Sequence, residues 1–205
     1  MFCLTLDPSH GSLIKKLSYI PVGLGNEKFP SYFLKDNEGE NISKKNLYYG
    51  EYTFHYWIWK NHLKNIKTEW VGFCQYRKFF VRETVSNNDL SFENLKKISI
   101  NSIDQNDLNY QCILGKKFSV ENFKLSKIIK NHLKEFLLNP KLIFNKKFRS
   151  LKFHFDLFHG KGNLDLAINQ LDDKNKNDFR NYMNKNTAFN PHNMFICKRE
   201  ILEEY

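Results

Sequence analysis

Cysteine is scarce in this chain and poorly spaced for chemistry. Cys3, Cys74, Cys112 and Cys197 each lie in apolar runs, without a CxxC and without close Cys/His spacing. That pattern argues against disulfides and zinc, and predicts buried free thiols in a reducing cytoplasm. No run approaches the roughly 20 apolar residues that cross a bilayer. The N-terminal MFCLTLDPSHGS lacks the basic, apolar and small-residue regions of a secretory leader, so nothing directs export. Internal repeats and long low-complexity linkers are absent too, which excludes a solenoid. Acids are outnumbered, 22 Asp+Glu against 32 Lys+Arg, for a net charge of +10. Such a charge favours phosphates, anionic lipid or nucleic acid. Its lysines are nevertheless scattered (Lys15, Lys16, Lys44, Lys45, Lys116, Lys117) and form no single stripe. A solvated, compositionally driven surface and peripheral contact with the inner membrane face explain the charge equally well.

What is present suits one domain over residues 1–205: 41% apolar and 16% aromatic residues fill an ordinary core. Met1 to Leu6 and Tyr19 to Leu24 read as strands, closed by Asp7-Pro8 and by Gly23 and Gly25. Ser43 is a fair N-cap for a helix running to about Asn61, with Gly50 as its weak spot. Trp70 to Gln75, Tyr110 to Leu114 and Met194 to Cys197 read as buried strands. Phe123 to Leu138 has the apolar spacing of an amphipathic helix, and Leu164 to Leu171 and Phe179 to Met183 read as further helices. Strands alternating with helices predict an α/β fold. The chain stops at Tyr205, just after a helix begins at Arg199, so a short protein and a C-terminally truncated product are both expected readings.

The richest chemistry lies between Asp36 and Phe80. All three tryptophans, Trp57, Trp59 and Trp70, stand there beside Asp36, Asn41, Glu51, Gln75 and Arg77, the mixture of flat rings and polar groups that sugars and nucleotides require. On the helix after Ser43, Glu51 and His55 are four apart and share a face with Tyr48, with Tyr52, Tyr56 and Trp59 on neighbouring faces. A buried Glu51 satisfied by an amide or lysine is the alternative, as is a core role for the rings. Gln75, Tyr76 and Arg77 arrive where a buried strand ends, the place where open α/β sheets bind ligands. Arg77 offers a planar charged fork suited to phosphate, or a surface ion pair. Asp36 and Asn41 flank Gly39 in a segment whose composition is that of a self-capping turn, or of a hydroxyl-binding loop. His154, Asp156 and His159 precede HGKG, a weak phosphate-cradle signal involving His159 and Lys161. Asn190, His192 and Asn193 precede the last strand.

DNEGENIS, the helix EYTFHYWIWKN, the strand GFCQYR and the late NMFI resemble, in order and separation, a bacterial family of capsular and exopolysaccharide glycosyltransferases first described as a domain of unknown function. Asp36, Gly39, Asn41, Ile42 and Ser43 match its Asp-x-x-Gly-x-Asn-Ile-Ser. Glu51 and Thr53 match its Glu-Leu-Thr, and Tyr56, Trp57, Trp59, Lys60 and Asn61 its Tyr-Trp-x-Trp-Lys-Asn. Tyr76 and Arg77 match its His-Tyr-Arg-Arg, with Gln75 in place of His and Lys78 in place of the second Arg; Asn193 to Ile196 match its Asn-Met-Phe-Ile. The resemblance spans most of the chain.

This resemblance implies a GT-A-like nucleotide-diphospho-sugar transferase fold, a mixed central sheet flanked by helices. The implied reaction moves sugar from a nucleotide-diphosphate donor, a UDP-sugar first, to a surface-polysaccharide or lipid-linked glycan acceptor. It gives Arg77, with Lys78 or Lys161, the diphosphate, and leaves Glu51 or Asp156 as the base. Asp36, Asn41, Gln75, Tyr76 and Lys78 would bind the donor, Tyr56, Trp59, His192 and Asn193 the acceptor, and His159 and Lys161 phosphate. No Asp-x-Asp stands at the strand end, so no metal ligand is assigned and the expected chemistry is metal-independent, with magnesium or manganese the alternative. A catalytically inactive nucleotide-sugar-binding relative is the second reading. A basic nucleic-acid-binding module is the third, and it lacks a recognition motif.

Overall fold

The FCLT run near the N-terminus forms strand β1 (Phe2–Thr5), buried at every position in the computed structural model. The structure describes residues 1–82, 91–121, 133–138, 140–145 and 148–205. These fall into two compact units: Met1–Gly115 together with His192–Tyr205, and Lys116–Pro191. After β1 come helix α1 (Gly11–Lys16), strands β2 (Ile20–Gly23) and β3 (Leu34–Lys35), and helices α2 (Asn46–Tyr49) and α3 (Tyr52–Asn61). Strand β4 (Trp70–Gln75), helix α4 (Phe92–Ile98) and strand β5 (Cys112–Leu114) follow. The second unit holds β6 (Phe118–Ser119), α5 (Leu133–Leu138), α6 (Lys141–Phe144), α7 (Leu151–His159), α8 (Asn163–Asn169), α9 (Asp173–Lys185) and β7 (Ala188–Phe189). The chain returns to the first unit with β8 (Phe195–Lys198) and α10 (Arg199–Glu204).

In the first unit the strands form a six-stranded sheet in the order β3-β2-β1-β4-β8-β5. β3, β2, β1 and β4 run parallel, whereas β8 is antiparallel to both β4 and β5. The period of two along each strand divides the core between the faces. Phe2, Leu4, Val71 and Phe73 pack with Phe54, Trp57 and Ile58 of α3 and Leu202 of α10. Cys3, Cys74 and Ile196 pack with Ile14 and Leu17 on and beside α1, and with Phe92 and Leu95 of α4. The fold is therefore α/β, a mixed sheet with helices on both faces, as the alternating elements predict. Gly72 lets the Met1 side chain lie against the strand, since a Cβ there would stand 2.8 Å from Met1 Sδ and 3.1 Å from Ile196 Cγ1. Among the described residues no helix is long and apolar enough to cross a membrane.

Three local expectations change. The single helix from Ser43 to Asn61 is broken at Gly50, whose φ of 53° lies in the left-handed half of the map. A 3-10 turn (Ser43–Lys45) and α2 precede the break, and α3 follows it. Cys3, Cys74 and Cys197 are buried free thiols, but Cys112 is exposed because it sits on the edge strand β5. Of the helix expected from Phe123 to Leu138, residues 123–132 lie outside the described residues, and Leu133–Leu138 is helical.

The second unit pairs β6 with β7 antiparallel, Phe118 opposite Phe189. Leu151 of α7 and Leu164 and Ile168 of α8 are buried. Ser150 and Asp172 cap α7 and α9, accepting from the amides of Phe153 and Asn175.

One buried carboxylate joins the loops to α3. Asp36, fully buried, accepts from the Gly25 amide at 3.0 Å and from the Thr53 hydroxyl at 2.5 Å. Asn46 donates to Thr53 Oγ1 at 3.1 Å and to the Gly50 carbonyl at 2.9 Å, which fixes the α2–α3 break. The rest of the DNEGENIS loop lies on the same helix. Trp57 Nε1 donates to the Glu38 carbonyl at 2.7 Å, and Asn61 accepts from the Glu40 amide at 3.1 Å while donating to its carbonyl at 2.8 Å. Gly39, at φ 61°, leaves room for Asn61 Oδ1, which would stand 2.3 Å from an added Cβ. Asp36→Ala strands a buried amide donor and is expected to destabilise by about 2 to 4 kcal/mol in urea denaturation. Asp36→Asn keeps an acceptor for Gly25 and a donor for Thr53, and should stay within about 1 kcal/mol of the wild type. Equal losses in both variants would refute the clamp.

Candidate functional site

The parallel strands deliver their carboxyl ends to one edge of the sheet. β1 has β2 on one side and β4 on the other, so the strand order reverses between β1 and β4, where open α/β sheets leave a crevice. Leu4 is in register with Gln75, and Phe73 with Phe195 of the antiparallel β8. Residues after β4 and residues before β8 therefore emerge together.

Glu51, at the start of α3, is the centre of what gathers there. Gln75 Nε2 donates to Glu51 Oε1 at 2.5 Å, and Asn193 Nδ2 to Oε2 at 3.4 Å. Tyr52 donates its hydroxyl to Asn193 Oδ1 at 3.1 Å. Lys78 Nζ reaches the His192 ring, 3.1 Å from Nδ1. Partial burial, then the charges of Lys78 and Arg77, push the His192 imidazole below its ordinary range, and Glu51 acts in the opposite direction. His192 thus stands in the field of both cations and the carboxylate, a neutral acceptor for the lysine. It is held at φ 70° by the turn into β8. On the β1 side, His10 stacks on Tyr76 with centroids 3.9 Å apart and receives a 2.8 Å contact from Thr5 Oγ1 at its Nδ1. The exposed Arg77 lies with its guanidinium carbon 5.3 Å from the Tyr76 ring centroid.

The structure thus brings together Glu51, Gln75, Tyr76, Arg77, Lys78, His192 and Asn193 from the sequence-derived set. Asp36 and Asn41 serve elsewhere. Asp36 is enclosed, and burial raises its carboxyl above the usual range. Its oxygens hold Gly25 and Thr53, so a donor hydroxyl does not meet them in this conformation. Asn41 closes its own turn, donating to the Gly39 carbonyl at 2.8 Å and accepting from Ser43 Oγ at 2.9 Å. Asp156, His159 and Lys161 belong to the second unit. Asp156 pairs with Lys152 at 3.1 Å on α7, and Lys152 also binds Asp165 at 2.6 Å. HGKG joins helix α7 to α8, where Asn163 donates to the His159 carbonyl at 2.6 Å, so the strand-to-helix context of a phosphate cradle is missing. Sequence reasoning placed Tyr52 among the rings near Glu51 without giving it a role, and passed over His10. The argument that singled out the residues after β4 applies equally to DPSH after β1.

Among the described residues no group of three or more His, Cys, Asp and Glu is placed to hold a metal ion. Glu51 is flanked by amides and cations rather than by a second carboxylate, so the donor set around it does not fit magnesium or manganese.

Beside this cluster, between α3 and α10, lies a cavity of about 560 Å³ walled by Tyr52, His55, Tyr56, Trp59, Leu202 and Tyr205. Tyr56 and Trp59, expected on the acceptor side, face this cavity rather than the Glu51 cluster. Tyr52 belongs to both. Tyr56 donates to Glu40 at 2.7 Å, and Lys60 Nζ sits 3.7 Å over the Trp59 ring. His55 is 5% exposed and packed on Phe73 and Phe195, with neither ring nitrogen hydrogen-bonded.

The family model described as Domain of unknown function (DUF4422) matches residues 9–205. The chain belongs to this family. A solved structure, the apo form of the WbbM bifunctional glycosyltransferase, is similar to this DUF4422 chain at 20% sequence identity with a TM-score of 0.47. The similarity covers 91% of this chain and 32% of that one, so this chain spans about a third of its length. No curated protein matches the chain.

Burial holds His55 at about 4 against an ordinary 6.5. The unfolded chain therefore takes up a proton that the fold refuses between those values, and stability falls as pH falls through that window. Full expression is on the order of 3 kcal/mol. Between pH 7.5 and 4.5 the wild type should lose about 2 to 3 kcal/mol more than His55→Phe in urea titrations. Parallel losses would show that His55 is not buried neutral.

Proposed function

We propose that this DUF4422 chain is a GT-A-like glycosyltransferase that moves a sugar from a nucleotide-diphosphate donor, first a UDP-sugar, to a surface-polysaccharide or lipid-linked glycan acceptor. The observation that carries the reading is the Glu51 carboxylate, oriented by the Gln75 and Asn193 amides and standing beside Arg77, Lys78 and His192 at the switch point of the sheet. The motif resemblance supports it as well. Of the residues that match, Glu51, Tyr76, Arg77 and Asn193 meet at this edge.

The arrangement fits the charge changes of sugar transfer. As the acceptor hydroxyl attacks the anomeric carbon, the bond from that carbon to the diphosphate oxygen breaks, and negative charge grows on the departing diphosphate. Arg77 and Lys78 supply fixed positive charge there, Arg77 as a planar fork. Glu51 takes the acceptor hydroxyl proton as general base, while the Gln75 and Asn193 amides hold its carboxylate in place. Gln75 keeps the hydrogen-bond donor that an imidazole N–H would offer at this position, so replacing the resemblance's His preserves the contact. Tyr76, already sandwiched by His10, offers a flat face to a base or sugar ring.

A panel of nucleotide sugars incubated with the protein, with lipid-linked glycan extracts and with or without EDTA, tests this by release of free nucleotide. Release of UDP is expected. Stabilisation by a UDP-sugar without any release would favour an inactive relative, and neither effect would sink the proposal. Glu51→Gln should lower kcat by about 10² to 10⁴-fold. Arg77→Ala should weaken UDP binding by about 10- to 100-fold. Gln75→His is expected to retain activity and Gln75→Leu to lose it. Activity surviving in Gln75→Leu but not in Gln75→His would overturn the role given to that amide.

A further inference from the structure

The cavity beside α3 combines features that hydrophobic packing alone does not require. Trp59 and Tyr52 present rings that are 53% and 44% exposed, and Tyr56 stands edge-on to Trp59 with centroids 5.7 Å apart. Flat aromatic faces with free edges suit the apolar C–H faces of pyranose rings. At the inner wall lies His55, 95% enclosed by the complement of its 5% exposure, with both Nδ1 and Nε2 unpaired. A buried polar group left unpaired is costly, so a site that keeps one has reason to satisfy it with a ligand. A neutral imidazole offers one donor and one acceptor, the complement of a hydroxyl. The volume of about 560 Å³ falls within the range of small-molecule sites. Glu203 and Glu204 at the rim disfavour anions. No cation is needed inside, since Lys60 is stacked outside on Trp59.

We infer that this cavity is a binding site for a neutral saccharide, with His55 bonding a hydroxyl and Trp59 and Tyr56 receiving ring faces. The choice of a sugar as ligand rests on the transferase reading, in which the site holds the acceptor glycan. The residues differ from those assigned to the donor. Tyr52 joins the two, because its hydroxyl donates to Asn193 of the Glu51 cluster while its ring lines the cavity. A saccharide seated there lies one side chain away from the proposed base. The Tyr205 ring, 64% exposed, stands edge-on to the His55 imidazole with centroids 5.7 Å apart, and its hydroxyl is hydrogen-bonded with that of Tyr52.

Saturation-transfer difference NMR of the 205-residue chain with maltose, lactose and cellobiose, in the absence of nucleotide, tests the inference. At least one disaccharide should receive saturation and shift the ¹⁵N resonances of the His55 ring. Trp59→Ala, a change at an exposed position, should weaken that binding tenfold or more, as should His55→Phe. His55→Gln, which keeps a donor and an acceptor, should hold within a few fold. UDP binding, followed by thermal shift, should be unchanged in Trp59→Ala. No saturation transfer to any disaccharide in wild type overturns the inference, as does undiminished transfer in folded Trp59→Ala or His55→Phe. UDP binding without disaccharide binding leaves the donor reading standing and removes this one. Disaccharide binding that depends on His55, without UDP binding, does the reverse.

Discussion

A carboxylate with no access to solvent organises the functional half of the molecule. Asp36 follows β3 directly, and its side chain holds the Gly25 amide after β2 and the Thr53 hydroxyl on α3. A buried carboxyl is costly unless its oxygens are matched by donors, so once matched it tolerates few other arrangements. The consequence is that α3 is fixed relative to the carboxyl edge of the sheet. Glu51, two residues before Thr53, is carried to the strand ends with it. The Trp57 and Asn61 bonds to the 38–40 backbone fasten the other end of the helix. Much of what looks like ligand chemistry in DNEGENIS and YWIWKN is therefore the joint that aims the site.

Helix α3 then has three duties that its short length keeps close together. Its inner face, with Phe54, Trp57 and Ile58, packs on the sheet. Its first turn presents Glu51 and Tyr52 to the residues around β4 and β8. The side turned towards α10 supplies His55, Tyr56 and Trp59 to the neighbouring cavity. Glu51 and His55 are one helical turn apart, with the His55 amide 3.3 Å from the Glu51 carbonyl, yet they part company: His55 packs on Phe73 and Phe195, whereas Glu51 meets Gln75 and Asn193. Tyr52 is the bridge between the two environments.

Elements whose burial follows from local pattern were legible in advance. Trp70 to Gln75 was readable to the residue, since an apolar run with Gly72 and a polar end describes a strand buried on both faces. The division of Cys3 and Cys74 from Phe2, Leu4 and Phe73 follows from the same period of two. Part of the site was legible as well: Gln75, Arg77 and Asn193 stand at strand ends, and Glu51 is an acid among rings. Asp36 and Asn41 were misleading, because a carboxylate that binds a ligand and one that caps a loop are the same residue in the same local company. His10 escaped notice and Tyr52 was left without a role, since their partners, Tyr76 and Asn193, are far away along the chain.

The sequence by itself determined the α/β alternation, the buried strands β1, β2, β4 and β8, the cationic end of β4 and the turn chemistry around Gly39, all set by periodicity and by local backbone preference. The strand at Tyr110 to Leu114, expected buried, is instead the exposed edge strand β5. Tertiary structure alone decided which polar groups share a space. Parallel pairing of β1 with β4 and antiparallel pairing with β8 bring residues near positions 10, 51, 76 and 193 to one edge, and register between distant strands leaves no trace in a single stretch of chain. It also decided that His55 keeps both nitrogens unpaired beside an open cavity, because a histidine's burial depends on the rings from three other elements that close around it.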